Sequence, residues 1–105
     1  MKEISDLNAV DFQKTIASGK VLIDFRAPWC NACKVLDTII ERNSETLPDD
    51  LTIAKINIDN NTTLAADFDI TMIPTLVLYV DGQIIARKSG NFSLSGFLDF
   101  LKPVL

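Results

Sequence analysis

The sequence predicts an α/β fold in which a mixed central β-sheet is flanked by helices on both faces. Three observations carry that expectation. Short apolar runs rich in β-branched residues alternate with segments of helical spacing. The last of those runs is followed by Asp81-Gly82, a hairpin signal that adds an antiparallel strand. Hydrophobic residues make up 48% of the 105 positions, enough for a core of modest size. The length places residues 1–105 in one domain, and no repeat, low-complexity tract or linker interrupts it.

The elements follow in order. Residues 8–17 read as a helix, with Asn8 as its cap, Asp11 three residues on, and Phe12 and Ile16 on one face. Ser18-Gly19-Lys20 breaks it. Val21 to Phe25, "VLIDF", is apolar and β-branched, the pattern of a buried strand. A cysteine motif comes next. Val35, Leu36, Ile39 and Ile40 then recur at helical spacing, with Asp37, Glu41 and Arg42 assigned to the opposite, solvent side. That helix ends before Pro48. "LTIAKINI" (51–58) reads as a strand, and "DNNTT" as a turn in which Thr62 or Thr63 caps a short helix through Phe68. "TLVLYV" (75–80) is a third core strand, returned antiparallel by Gln83 to Lys88 after the hairpin. Ser93 opens a last helix with Phe97, Leu98 and Leu101 along one stripe. Strands joined through helices imply parallel pairing with right-handed crossovers, so only the final hairpin is expected to run antiparallel.

Charge narrows the function. Charged residues are 23% of the chain and the net charge is −4. A nucleic acid or an anionic membrane surface requires a basic face, so neither is expected as a main partner. The N-terminus lacks an apolar core of signal-peptide length and no run approaches a membrane span, so a cytoplasmic location is expected.

The chemistry concentrates in "APWCNACK" (27–34), which holds both cysteines and the only tryptophan. A reducing compartment keeps ordinary thiols reduced, so a close pair there points to catalysis or metal binding before a structural bridge. With two cysteines and no histidine, one chain cannot complete a four-ligand zinc site; two chains would have to share the metal. A static disulfide across so small a loop constrains the unfolded chain little. Redox exchange is the leading reading. The motif falls where a core strand ends and a helix begins, the usual position of sites in open α/β sheets. Free N–H groups of the first helical turn then aim at the Cys30 sulfur and favour its thiolate, the attacking form. Cys33, one turn on, lies on the same face. Asp24 sits inside an apolar strand, where burial would raise its pKa and let it exchange a proton with Cys33, unless the strand turns it to solvent.

Four stretches, taken together, resemble the thioredoxin family: "VLIDFRAPWCNACK" (21–34), "AKINIDNN" (54–61), "MIPTLVLYVDGQIIARKSG" (72–90) and "LSGFLDFL" (94–101). The resemblance runs through nearly the whole chain in order and spacing. It implies a thioredoxin fold and a protein-disulfide reductase that needs no metal or organic cofactor. Cys30 would attack and Cys33 resolve. Asp24 falls on the family's buried acid and Lys55 on the lysine beside it. Pro74 falls on the family's cis-proline. Trp29, Met72, Ile73, Pro74, Gly90 and Asn91 would line the groove that binds an extended client segment. The implied partners are a thioredoxin reductase or equivalent electron donor and disulfide-containing client proteins, with the chain itself a monomer. A binding module that uses the groove without turnover is the alternative from another class.

The chain departs from the family pattern at four places. Asn31-Ala32 replaces Gly-Pro between the cysteines, Arg26 replaces a tryptophan, Thr38 a helix proline and Met72 a glycine. Ala32 restores an N–H that proline lacks, and Arg26 brings positive charge. Arg26, Asn31 and Ala32 are therefore expected to tune the potential, making the pair less reducing than Cys-Gly-Pro-Cys.

Overall fold

The computed structural model describes every residue from Met1 to Leu105. Its elements run β1 (Lys2–Ile4), α1 (Ala9–Ile16), β2 (Lys20–Arg26), α2 (Asn31–Arg42), β3 (Leu51–Asn57), α3 (Thr62–Asp67), β4 (Thr75–Val80), β5 (Gln83–Ser89) and α4 (Leu94–Phe100). A 3₁₀ turn over Lys102–Val104 closes the chain. The five strands form one sheet in the order β1-β3-β2-β4-β5. No helix is long and apolar enough to cross a membrane.

Helix starts follow local chemistry. The Asn8 side chain accepts the Asp11 N–H at 3.0 Å and Ser93 accepts that of Gly96 at 3.0 Å, so both expected caps are in place. At α3 the expectation fails. The capping position is Asn61, not Thr62 or Thr63, and its side chain does not cap the helix. That amide is used elsewhere: its oxygen accepts the Ala9 N–H at 3.1 Å and its nitrogen donates to the Asn57 carbonyl at 2.9 Å.

β2 and β3 are parallel and so are β1 and β3, but β4 runs antiparallel to β2. The antiparallel part therefore begins one strand earlier than expected. Length explains this. The six residues of α3 advance the chain only ~9 Å, whereas seven-residue β3 extends ~23 Å. The short helix does not carry the chain back to the starting end of the sheet, and β4 begins where β2 finishes, with Phe25 opposite Thr75. The twelve-residue α2 is long enough to make the return between β2 and β3.

Alternation along β2 divides the interior. Val21, Ile23 and Phe25 join Phe12 and Ile16 of α1 and Tyr79 in one cluster. Leu22 joins Leu36 and Ile40 of α2, Phe97 of α4 and Leu101 in another. Both faces of β2 are thus covered, which is why it reads as an unbroken apolar run. Asp24 and Arg26 continue the row of Leu22, on the α2 side. β5 is an exposed edge strand with an irregularity opposite Leu78 and Tyr79 that leaves Ile85 without a partner. Asp81 and Gly82, both at positive φ (49° and 82°), make the two-residue hairpin turn.

Candidate active site

The reversal of β4 decides where the site forms. The ends of β2 and the start of β4 meet at one rim of the sheet, and the cysteine motif and the Ile73–Pro74 loop meet there with them. The Ile73–Pro74 peptide is cis. Cys30 is the N-cap of α2, and its sulfur accepts the Cys33 N–H at 3.1 Å. The donor is the amide of Cys33 and not that of Ala32. Across the rim, the Cys30 thiol donates to the Ile73 carbonyl at 3.8 Å. Both cysteines are free thiols. They pack with Ala27, and with Ile58 and Ile73 at the margin.

The two thiols differ. Cys30 keeps 7% of its surface and Cys33 only 1%. Burial pushes the Cys33 thiol up to about 12; its hydrogen bond with Cys30 and the charges of Cys30 and Asp24 add to that, while the Ala27 backbone opposes it. Asp24 is fully buried, and neither carboxyl oxygen has a hydrogen-bond partner. Burial raises its pKa to about 7, with the nearby Asp37 carboxylate contributing; Lys55 and Arg26 pull it down and Glu3 pushes it up.

Lys55 stands beside Asp24 in the strand register but does not pair with it. Its ammonium lies 3.1 Å from Asp37 Oδ1 and 3.3 Å from Glu3 Oε1. Burial works against its charge, yet these carboxylates outweigh burial and hold it above the ordinary lysine range. Arg26 turns inward and meets Asp37 Oδ2 at 3.2 Å, so its charge is compensated by a carboxylate. Asp37 is therefore not a solvent-side residue of α2. It is half-buried, faces the sheet and joins two cations. The signal was available: Asp37 follows Cys33 by four residues and so shares its face.

Of the residues expected to line the groove, Ile73 packs against the cysteines, and the others differ in exposure. Trp29 is 65% exposed, and its indole N–H donates to Asp59 Oδ2 at 3.0 Å, a partner not foreseen. Met72 is 56% exposed. Ile73 is half-buried and Pro74 buried beneath them, and Asn91 is exposed. The Gly90 N–H donates to the Pro74 carbonyl at 3.0 Å, which ties the segment before α4 to the proline loop. Gly90 has a φ of +108°, a backbone conformation that favours glycine, while a Cβ there would make only ordinary contact with the Met72 sulfur at 3.5 Å. Asn31 is exposed on the first turn of α2, and Ala32 is half-buried beside the pair.

The thioredoxin family model matches residues 3–103. The chain belongs to the thioredoxin family. It is 44% identical over 84 residues to a thioredoxin of Chlamydia pneumoniae, covering 80% of this chain and 81% of that protein. A thioredoxin of Haemophilus influenzae is 30% identical over 103 residues, 96% of each chain. The structure of a mutant thioredoxin from Halobacterium salinarum NRC-1 superimposes with a TM-score of 0.80 at 28% identity, covering 96% of this chain and 89% of that one. The sheet of five strands with four flanking helices is the thioredoxin fold. Family membership and the close cysteine pair make this chain a thiol–disulfide oxidoreductase, a protein-disulfide reductase by reaction type. The family implies a thioredoxin reductase and disulfide-bearing clients as its partners.

Proposed function

We propose that the chain reduces client disulfides in two steps. The Cys30 thiolate attacks one client sulfur, a mixed disulfide forms and the other client sulfur leaves as a thiolate. The Cys33 sulfur then attacks Cys30 Sγ, its proton passing to Asp24, and the second client sulfur leaves. The chain ends with a Cys30–Cys33 disulfide, two electrons poorer, and a reductase returns it to the dithiol. The observation that carries the assignment is the Cys30 sulfur at the N-terminus of α2 with the Cys33 N–H directed at it. The difference in exposure supports the order of attack, because the more open thiol meets the client first.

Trp29, Met72, Ile73, Pro74, Gly90 and Asn91 form the client groove in this reading. An extended client segment pairs with the backbone of the proline loop and rests on the exposed faces of Trp29 and Met72. Lys55 assists through its placement beside Asp24. A reducing compartment such as the cytoplasm suits a dithiol that donates electrons.

Asn31-Ala32 sets the pair to a less reducing potential than Cys-Gly-Pro-Cys. Ala32 supplies one more N–H at the positive end of α2 than proline would, and that end favours the thiolate of the reduced form. Arg26 contributes less than its charge suggests, because Asp37 neutralises it. An equilibrium titration against a dithiol buffer is expected to give a higher potential than for Asn31→Gly/Ala32→Pro; an equal or lower one refutes this.

The mechanism is tested by client-disulfide reduction with a thioredoxin reductase as electron source. Cys30→Ser is expected to abolish turnover, and Cys33→Ser to accumulate the mixed disulfide. Full activity in Cys30→Ser would overturn the assignment.

A further inference from the structure

The buried acid sits among charges that ignore it. Asp24 has unpartnered oxygens although a lysine stands next to it in the register and an arginine lies two residues along the same face. Neighbouring strands are only ~4.8 Å apart, so an unconstrained Lys55 would be expected to turn to a buried carboxylate. Instead both cations converge on Asp37, Lys55 at 3.1 Å on one oxygen and Arg26 at 3.2 Å on the other. Glu3, from β1, holds Lys55 from the opposite side at 3.3 Å. Two negative and two positive charges thus balance one another around Asp24 and leave it without a counter-ion.

We propose that Asp37 is a positioning residue for the redox reaction: its carboxylate withholds Lys55 and Arg26 from Asp24, keeping that acid free to take and release a proton. The proposal rests on the reading that Asp24 is the proton partner of Cys33. Charged and titratable groups reach Asp24 from four elements: Glu3 from β1, Arg26 from β2, Lys55 from β3, and Asp37 and Cys33 from α2. On the β4 side its neighbour is the apolar Leu76. Of these groups only Asp37 touches both cations. Asp37, Lys55 and Glu3 also line a cleft of about 340 Å³ that shares no residue with the proposed client groove. Water can therefore reach this cluster while a client covers the cysteines. The near-neutral titration of Asp24 agrees with a site from which the cations are held away.

The test follows the Asp24 carboxyl by carbon-13 NMR in the reduced protein across neutral pH. Asp37→Asn removes the clamp: Arg26 loses its carboxylate partner and Lys55 keeps only Glu3, so both can turn toward Asp24. Its titration midpoint is expected to move to lower pH by about one unit or more, the effect of an opposite charge at close range. Lys55→Gln is expected to move it to higher pH. The double variant separates the clamp from simple repulsion between two carboxylates. If Asp37 acts by withholding Lys55, the acid shift caused by Asp37→Asn is smaller in the Lys55→Gln background. An equal shift in both backgrounds, no shift, or an alkaline shift in Asp37→Asn overturns the proposal. Asp37→Ser carries the same expectation should the amide impair folding, and Asp37→Glu is expected to restore the native midpoint. Asp24 titration alone decides the role of Asp37. The pH profile of client reduction, compared with Asp24→Asn, decides separately whether Asp24 serves Cys33.

Discussion

At Asp24, burial turns pH into stability. Its pKa rises from 3.8 to about 7 in the fold, so between those values the native chain holds a proton that the unfolded chain has lost. Where the native state binds more protons, stability falls as pH rises. The stability is therefore intact near pH 4, declines through the window and is lost above about 7. At about 1.4 kcal/mol per pH unit the whole span amounts to roughly 4 kcal/mol. Asp24→Ala leaves a cavity whose cost does not depend on pH. Denaturant unfolding of that variant is expected to lose most of the downward slope that the native chain shows between mildly acidic and mildly alkaline pH. A slope equal to the native one would place the titration elsewhere. The two cysteines give a second prediction at this scale. Cys33 keeps 1% of its surface and its thiol is held up at about 12, whereas Cys30, though also buried, keeps 7% and caps the start of α2. Alkylation of the reduced protein at neutral pH is expected to modify Cys30 first, with Cys33 several-fold slower, which peptide mass spectrometry reads directly.

Among the elements, α2 carries the reacting pair and is held by Leu36 and Ile40, both buried in the larger cluster. Leu36→Ala is expected to cost about 2–5 kcal/mol in denaturant unfolding, the range for truncating a packed core residue. A cost under ~1 kcal/mol would show that α2 is anchored otherwise. The hairpin gives a smaller figure. Gly82 lies at φ +82°, and an added Cβ would sit 3.4 Å from the Ala17 carbonyl, so Gly82→Ala is expected to lose about 1–2 kcal/mol. Caps and turns of this kind were legible in the sequence because each depends on a few adjacent residues. Asn8, Ser93 and Asp81-Gly82 stand where their chemistry placed them. β1 was not legible: three residues, Lys2 to Ile4, are too few to show alternation, and they become a strand only by pairing with β3. The direction of β4 was missed for a related reason, since it depends on how far a six-residue helix carries the chain.

For the whole molecule, the Cα radius of gyration is 12.5 Å, close to the ~13 Å of a compact chain of this length. With its central strand β2 covered on both faces within one chain, sedimentation is expected to return 11.6 kDa at all concentrations tested. A dimer would direct attention to β5, where Ile84 and Ile85 are exposed on the open edge. The close cysteine pair was readable as motif and resemblance, because Cys30 and Cys33 are three positions apart, and the buried Asp24 proposed as their acid lies in the strand just before them. The ion cluster was not, because Glu3, Arg26, Asp37 and Lys55 come from four elements and only the fold assembles them. The same kind of distant tie occurs at Asn61, whose one side chain joins the first N–H of α1 to the last carbonyl of β3 just ahead of α3. Neither helix then opens without disturbing the other. Their amides are expected to exchange with deuterium as one cooperative unit, although each helix is short and α3 has no buried residue of its own.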